Sequence, residues 1–235
     1  MAEEDFDVDR LAAYLHLTPP QVARMADRGK LPGRKVGGQW RFAQAEIHHW
    51  LEERIGASDD QELAKVEGVL QRASERQDEA PSIAEQLPLG AIAVPLAART
   101  RNSVITKMTE LAAGTGFLWD PPKMAEAVRG REDMHPTALE NGVALLHPRR
   151  PMPSILGQAL LAFGRTDSGI PFGGGRGALT DLFFLICSVD DAGHLRTLAR
   201  LSRLIADADF LSLLREAPDA ETIHRLIAEQ EKKLP

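Results

Sequence analysis

From Gly56 to Pro81 the chain reads GASDDQELAKVEGVLQRASERQDEAP, with seven acidic and three basic side chains and no aromatic residue. A stretch this polar cannot bury the apolar surface that a core requires, so the chain must fold on either side of it rather than through it. At 235 residues, length alone allows one large domain or two unequal ones. The break selects two, at 1–56 and 82–235, with 57–81 as an acidic linker. Inside the linker, Leu63, Val66, Leu70 and Ala73 are spaced as a short a/d seam. That spacing predicts either a helix that pairs with a second copy, giving a homodimer through 63–73, or a solvated helix that docks on its own domain.

The two sides differ in pattern. Before the linker, DVDRLAAYLH places Val8, Leu11, Ala12 and Leu15 at helical spacing. Thr18-Pro-Pro-Gln21 then signals a second helix start, with Val22 and Met25 inward. Arg34 to Val36 and Gln39 to Phe42 are β-prone runs joined by Gly37-Gly38, the signature of a tight hairpin. AQAEIHHWLEER returns to helix, with Ile47, Trp50 and Leu51 on one face and His48 and His49 solvated. Trp40, Trp50 and Leu31 read as core. Beyond the linker, buried-looking strands at Ala91–Leu96, Gly142–His147, Ile155–Arg165 and Asp181–Val189 alternate with two helical segments and precede a helical C-terminus. The expected fold is α/β (α+β): a small N-terminal helical and hairpin domain, a linker helix, and a C-terminal sandwich with a mixed sheet flanked by helices.

Composition excludes several classes. Apolar residues make up 43% and charged residues 26% of the chain, which suits a packed core. The single Cys187 cannot form an internal disulfide and reads as a buried, reduced thiol. The N-terminus MAEEDFDVD is acidic, and no apolar run approaches the ~20 residues of a membrane span, so a soluble cytoplasmic protein without a membrane partner is expected. The net charge of -6 argues against a chain that coats nucleic acid over its whole surface.

The charge is nevertheless uneven. Between Arg24 and Arg41 stand six basic residues, Arg24, Arg28, Lys30, Arg34, Lys35 and Arg41, against one acid, Asp27. A locally basic segment is the electrostatic footprint of phosphate binding, although a solvated charged face gives the same count. Across Phe6 to Glu53, the tract L..YL.LTPPQVARMADRGKLPGRKVGGQWRF...EI..WL resembles the winged helix-turn-helix domain of excisionase-like and MerR-like DNA-binding proteins. The resemblance implies that helix Pro19 to Arg28 enters the major groove through Gln21, Arg24 and Arg28. It also implies that the hairpin meets backbone or minor groove through Arg34, Lys35, Gln39 and Arg41.

In the second half, NGVALLHPRR carries a histidine out of a buried-looking strand into a basic turn. An imidazole is a competent nucleophile toward phosphoryl groups near neutral pH, and Arg131, Arg149 and Arg150 are cations available to stabilise the product. A structural histidine at a strand end remains the alternative. REDMHPTALENGVALLHP, then GIPFGGGRGALTDLFFLICSVDDAGHLRTLARLSRLI, then L..A.DAETIHRLI together resemble the enzyme IIA domain of the fructose, mannitol and nitrogen-regulatory branch of the bacterial sugar phosphotransferase system. The resemblance places the phosphoryl-accepting histidine at His147, the second active-site histidine at His194, and an active-site arginine at Arg131. The chain departs from the family in ALLHP, where Leu146 replaces a proline and Pro148 replaces a small residue, removing the amide donor after the histidine.

The glycine-rich run Phe172 to Gly177 lacks the Lys-Ser/Thr ending of a phosphate loop and reads as a flexible loop beside the site. His135, His147 and His194 have no metal-ligand spacing, so neither a metal nor any other cofactor is implied. The expected function is a DNA-binding regulator controlled by phosphorylation of His147 from a histidine-phosphorylated carrier, at most a phosphohistidine carrier in enzymatic terms. Two alternatives stay open at this point. The C-terminal domain could be a non-phosphorylated ligand or partner sensor, or the N-terminal module could bind protein in a phosphotransfer component.

Overall fold

Thr18 separates two helices, α1 (Val8–Leu15) and α2 (Pro19–Asp27). Its backbone N–H donates to Gln21 Oε1 at 2.8 Å, and Pro19 and Pro20 follow where helical N–H groups have no partner anyway. Two three-residue strands come next, β1 (Arg34–Val36) and β2 (Gln39–Arg41), with Lys35 opposite Trp40. Gly37 and Gly38 both take positive φ, 59° and 81°, the geometry a two-residue hairpin turn demands. Phe42 then exchanges backbone hydrogen bonds with Phe6, which brings the segment before α1 against the hairpin.

The computed structural model describes residues 5–15, 17–44, 46, 47, 50, 51 and 82–234. The 57–81 linker, the Leu63 to Ala73 seam, and His48 and His49 lie outside them. Contacts divide the chain into two compact units, Met1–Glu79 and Ala80–Pro235. In the first, Leu11, Ala12, Leu15, Val22, Ala26, Leu31, Phe42, Ile47 and Leu51 are buried. Three expectations change here. Ala26 rather than Met25 faces the core, Trp50 is half-buried, and Trp40 is half-buried with its indole N–H donating to Asp27 Oδ1 at 3.2 Å. An indole has a polar edge that must find an acceptor, whereas Phe42 does not, and Phe42 takes the centre.

The second unit begins with the short helix α3 (Ile83–Gln86), followed by β3 (Ile92–Ala93), α4 (Arg101–Ala113), α5 (Pro121–Met134), β4 (Val143–Leu146), β5 (Leu160–Pro171) and β6 (Leu179–Cys187). Three helices end it, α6 (Asp191–Leu204), α7 (Ala208–Glu216) and α8 (Ala220–Glu231). The side chains of Thr100, Asp120, Asp190, Asp207 and Asp219 accept from N–H groups in the first turns of α4, α5, α6, α7 and α8. The sheet is mixed, in the order β3-β5-β6-β4, with β5 and β6 antiparallel and the outer strands parallel to their neighbours. Consecutive residues of β4, β5 and β6 are buried, and consecutive side chains point to opposite faces, so both faces of the sheet are covered.

Strand limits moved where chemistry interrupts them. Pro95 has no amide hydrogen for the ladder, and β3 is confined to two residues. Ile155 and Leu156 are buried by a 3-10 turn and a bridge to Leu118 instead of opening β5. The polar run TDSG, beyond the expected strand end at Arg165, is the irregularity through which β5 continues from the Arg165–Leu182 pair to the Ile170–Thr180 pair. Phe172, at the start of the glycine-rich run, is buried against Phe183, 5.2 Å between ring centroids, so it anchors that connection rather than leaving it wholly loose.

Candidate functional site

The histidine site is built on β4. Gly142 turns the chain into the strand at φ 85°, and Asn141 on its other side donates to the Ile205 carbonyl at 3.0 Å. Four buried residues later the strand delivers His147, which is 2% exposed. Its Nδ1 lies 2.8 Å from the Leu145 carbonyl oxygen. A carbonyl only accepts, so Nδ1 carries the proton of the neutral ring and Nε2 carries the lone pair.

His194, in the first turn of α6, is 5% exposed, and its ring centroid lies 5.1 Å from that of His147 with the planes at 55°. A helix start adds positive potential at this position. His194 Nδ1 lies 3.2 Å from the hydroxyl of buried Ser188, just after β6. Chain-distant residues thus form an adjacent imidazole pair.

Arg131 is buried near the end of α5 and donates through Nη1 to the His135 carbonyl at 2.7 Å. The segment after it runs beside the site strand: Ala138 bridges Ala144, and Leu139 N–H donates to the Val143 carbonyl at 2.8 Å. His135 closes α5 as its C-terminal cap residue. Arg149 and Arg150 lie exposed on the turn after buried Pro148. Among the described residues, no group of three or more His, Cys, Asp or Glu side chains converges as a metal site.

Sequence reading passed over two polar residues of this region. Glu132 is buried, accepts from both the backbone N–H and the hydroxyl of Thr137, and has Arg101 at 3.8 Å. Burial pushes its carboxyl above the usual glutamate range, against the lowering pull of Thr137, Arg101 and Arg131. The only signal for it in the sequence is its place beside Arg131. Ser188 is the other, a hydroxyl directly after the apolar run LFFLIC.

In the first unit, Arg34, Lys35, Gln39 and Arg41 stand on the hairpin, while Gln21, Arg24 and Arg28 are exposed on or next to α2. Leu17, Gln21, Arg24, Met25, Arg28 and Lys30 line a shallow, largely apolar pocket. Gln21 Oε1 already accepts from the backbone N–H and the hydroxyl of Thr18, so toward a base its free capacity is donation. The hairpin cations are partnered within the chain: Arg34 with Asp5 at 2.7 Å, Lys35 with Asp27 at 3.3 Å, and Arg41 with Asp7 at 3.8 Å. Lys35 also lies over the Trp40 ring, 4.9 Å from its centroid. Among the described residues, Arg24, Arg28 and Lys30 form no such pair. No helix of the described residues is long and apolar enough to cross a membrane.

Residues 85–230 match the family described as phosphoenolpyruvate-dependent sugar phosphotransferase system, EIIA 2, and residues 6–55 match a helix-turn-helix domain. The nitrogen regulatory protein of Bradyrhizobium diazoefficiens is 36% identical over 132 residues, covering 54% of this chain and 84% of that protein. The fructose-specific EIIABC component of Bacillus subtilis is 28% identical over 152 residues, 64% of this chain but 24% of that protein. Among solved structures, the nitrogen regulatory protein IIA-Ntr of Neisseria meningitidis aligns with a TM-score of 0.52 at 22% identity, over 62% of this chain and 98% of that one. The mannitol enzyme IIA of Escherichia coli, solved in complex with phosphorylated enzyme IIB, aligns with a TM-score of 0.52 at 19% identity, over 61% and 99%. At these identities the structural likeness establishes the fold.

Proposed function

From a chain that belongs to the phosphotransferase system EIIA 2 family and carries a helix-turn-helix domain at residues 6–55, we propose a DNA-binding transcriptional regulator controlled by phosphorylation of His147. The observation that carries this reading is the wiring of His147: Nδ1–H is held by the Leu145 carbonyl at 2.8 Å, so the nucleophilic lone pair is on Nε2, beside a second imidazole. In the transfer, Nε2 attacks the phosphorus of a phosphohistidine on a carrier protein, the bond from phosphorus to the carrier nitrogen breaks, and the carrier imidazole leaves with the electron pair. His194 and Arg131 stabilise the transferring group, and Arg149 and Arg150 supply positive potential at the rim. A mannitol-type enzyme IIA solved in complex with phosphorylated enzyme IIB supports engagement of a phosphorylated protein partner by this fold. The negative charge added on His147 then alters the affinity of the N-terminal module for DNA, which Gln21, Arg24, Arg28, Arg34, Lys35, Gln39 and Arg41 contact. The linker at 57–81 joins the two functions.

The test is incubation of the full chain with phosphoenolpyruvate and the general phosphotransferase proteins, beside His147→Ala. An acid-labile label on the wild type and none on the variant is expected, together with a changed affinity for duplex DNA. An unlabelled wild type rejects the phosphoryl-acceptor role. A second reading, in which the N-terminal module binds protein, is favoured by the pairing of Arg34, Lys35 and Arg41 with carboxylates of the same unit. Salt-dependent DNA binding that weakens when Arg24 and Arg28, which have no such carboxylate partner among the described residues, are replaced decides against it.

A further inference from the structure

The two imidazoles of the histidine site are wired differently. His147 Nδ1 faces a backbone carbonyl, which fixes one tautomer, whereas His194 Nδ1 faces the hydroxyl of Ser188 at 3.2 Å, which can donate or accept. For a neutral His194, a donating Ser188 leaves the ring proton on Nε2, and an accepting one leaves it on Nδ1. Which of the two holds determines whether Nε2 offers an N–H or a lone pair.

Ser188 is held so that this hydroxyl is available. It is 3% exposed, its carbonyl accepts from Met152 N–H at 3.1 Å, and it stands between the last residue of β6 and Asp190, the cap of α6. Asp190 in turn accepts from Gly193 N–H at 2.7 Å, which sets the first turn on which His194 rides. The backbone on both sides of the contact is therefore anchored, and rotation of the hydroxyl sets the direction of the hydrogen bond. A second lone pair at Nε2 of His194 would repel a phosphoryl oxygen, while an N–H there donates to it.

We infer that Ser188 is a positioning residue: its hydroxyl donates to His194 Nδ1 and so fixes the tautomer that presents Nε2–H to a phosphoryl group on His147. The sequence of events it serves rests on the phosphoryl-acceptor reading, but the tautomer itself does not. Leu145 and Ser188 then act as complementary partners. The carbonyl makes His147 Nε2 a nucleophile, and the hydroxyl makes His194 Nε2 a donor, from two rings of the same residue type.

The test is two-bond proton–nitrogen correlation of the histidine side chains in the full chain at about pH 8, where imidazoles are largely neutral. His194 of the wild type is expected as the Nε2–H tautomer. Ser188→Ala is expected to give a mixture of tautomers and to slow labelling of His147 about tenfold, the loss of one positioning hydrogen bond. Ser188→Thr, which keeps the hydroxyl, is expected to restore the single tautomer. Wild-type His194 in the Nδ1–H form overturns the inference whatever the variants do, as does a tautomer that ignores Ser188→Ala. A wild type that is never labelled but whose tautomer follows Ser188 rejects the phosphoryl-acceptor reading and leaves the positioning role standing.

Discussion

Neutralising Asp5 and Asp7 should strengthen DNA binding and steepen its dependence on salt. The observed affinity for duplex DNA falls with salt in proportion to the number of phosphates that the protein neutralises, with a slope of about -0.9 per phosphate. If all six basic residues between Arg24 and Arg41 counted fully, the slope would be about -5.4, and raising salt from about 50 to 200 mM would weaken binding roughly 2,000-fold. Arg34, Lys35 and Arg41, however, already have Asp5, Asp27 and Asp7 as partners at 2.7, 3.3 and 3.8 Å. A cation that stays with its carboxylate neutralises no phosphate and releases no counterion from the DNA. With only Arg24, Arg28 and Lys30 counted, the slope falls to about -2.7 and the same salt change costs roughly 40-fold. Asp5→Asn with Asp7→Asn frees two cations and moves the slope to about -4.5, a loss of roughly 500-fold over that range. Asparagine is the right replacement because Asp7 Oδ1 also accepts from Arg10 N–H at 2.8 Å, which a side-chain amide oxygen can continue to do. The pairs themselves are exposed and each holds the fold by no more than about 1 kcal/mol, so the unit stays folded. The assay is fluorescence anisotropy of the full chain on labelled duplex DNA across the salt range. Slopes that coincide for wild type and double variant refute the argument, as does a wild-type slope already near that of six free cations.

Two further outcomes follow from buried carboxylates of the second unit. Because burial raises the Glu132 carboxyl above its ordinary value of 4.5, the folded state binds that proton more tightly than the unfolded state does. The group therefore subtracts stability progressively as pH rises from about 4.5 through its raised folded value. Glu132→Gln should flatten that decline in denaturant titrations, and a variant that declines as steeply as wild type rejects the assignment. Glu231 accepts from Ile83 and Ala84 N–H at 2.7 and 3.1 Å and pairs with Arg200 at 2.6 Å. Glu231→Ala leaves two amides of α3 without their acceptor and should cost about 3 kcal/mol. A melt shifted by less than a degree would contradict this.

Features that depend on neighbouring residues could be read in the sequence. The Gly37-Gly38 turn, the starts of α2 and α8 and the helical face of Leu11, Ala12 and Leu15 are set by contacts within a few positions. The strand ending in His147 was legible for the same reason, since its four residues are apolar without interruption. The continuation of β5 through TDSG was not, because the strand is held there by the flanking pairs Arg165–Leu182 and Ile170–Thr180 rather than by its own polar residues.

By itself, the sequence set apart two regions of different pattern on either side of an acidic stretch, with a basic hairpin in one and a histidine at the end of a buried strand in the other. Composition and local periodicity settle such matters, because solvation and hydrogen bonding within a turn act over short stretches of chain. Tertiary structure decided what those residues can do. It paired three of the hairpin cations with Asp5, Asp7 and Asp27, fixed the proton of His147 on Nδ1, and brought Ser188 and His194 together beside it. A charge or a proton has its state set by the atoms within a few ångströms, and which atoms those are is known only once distant segments have packed.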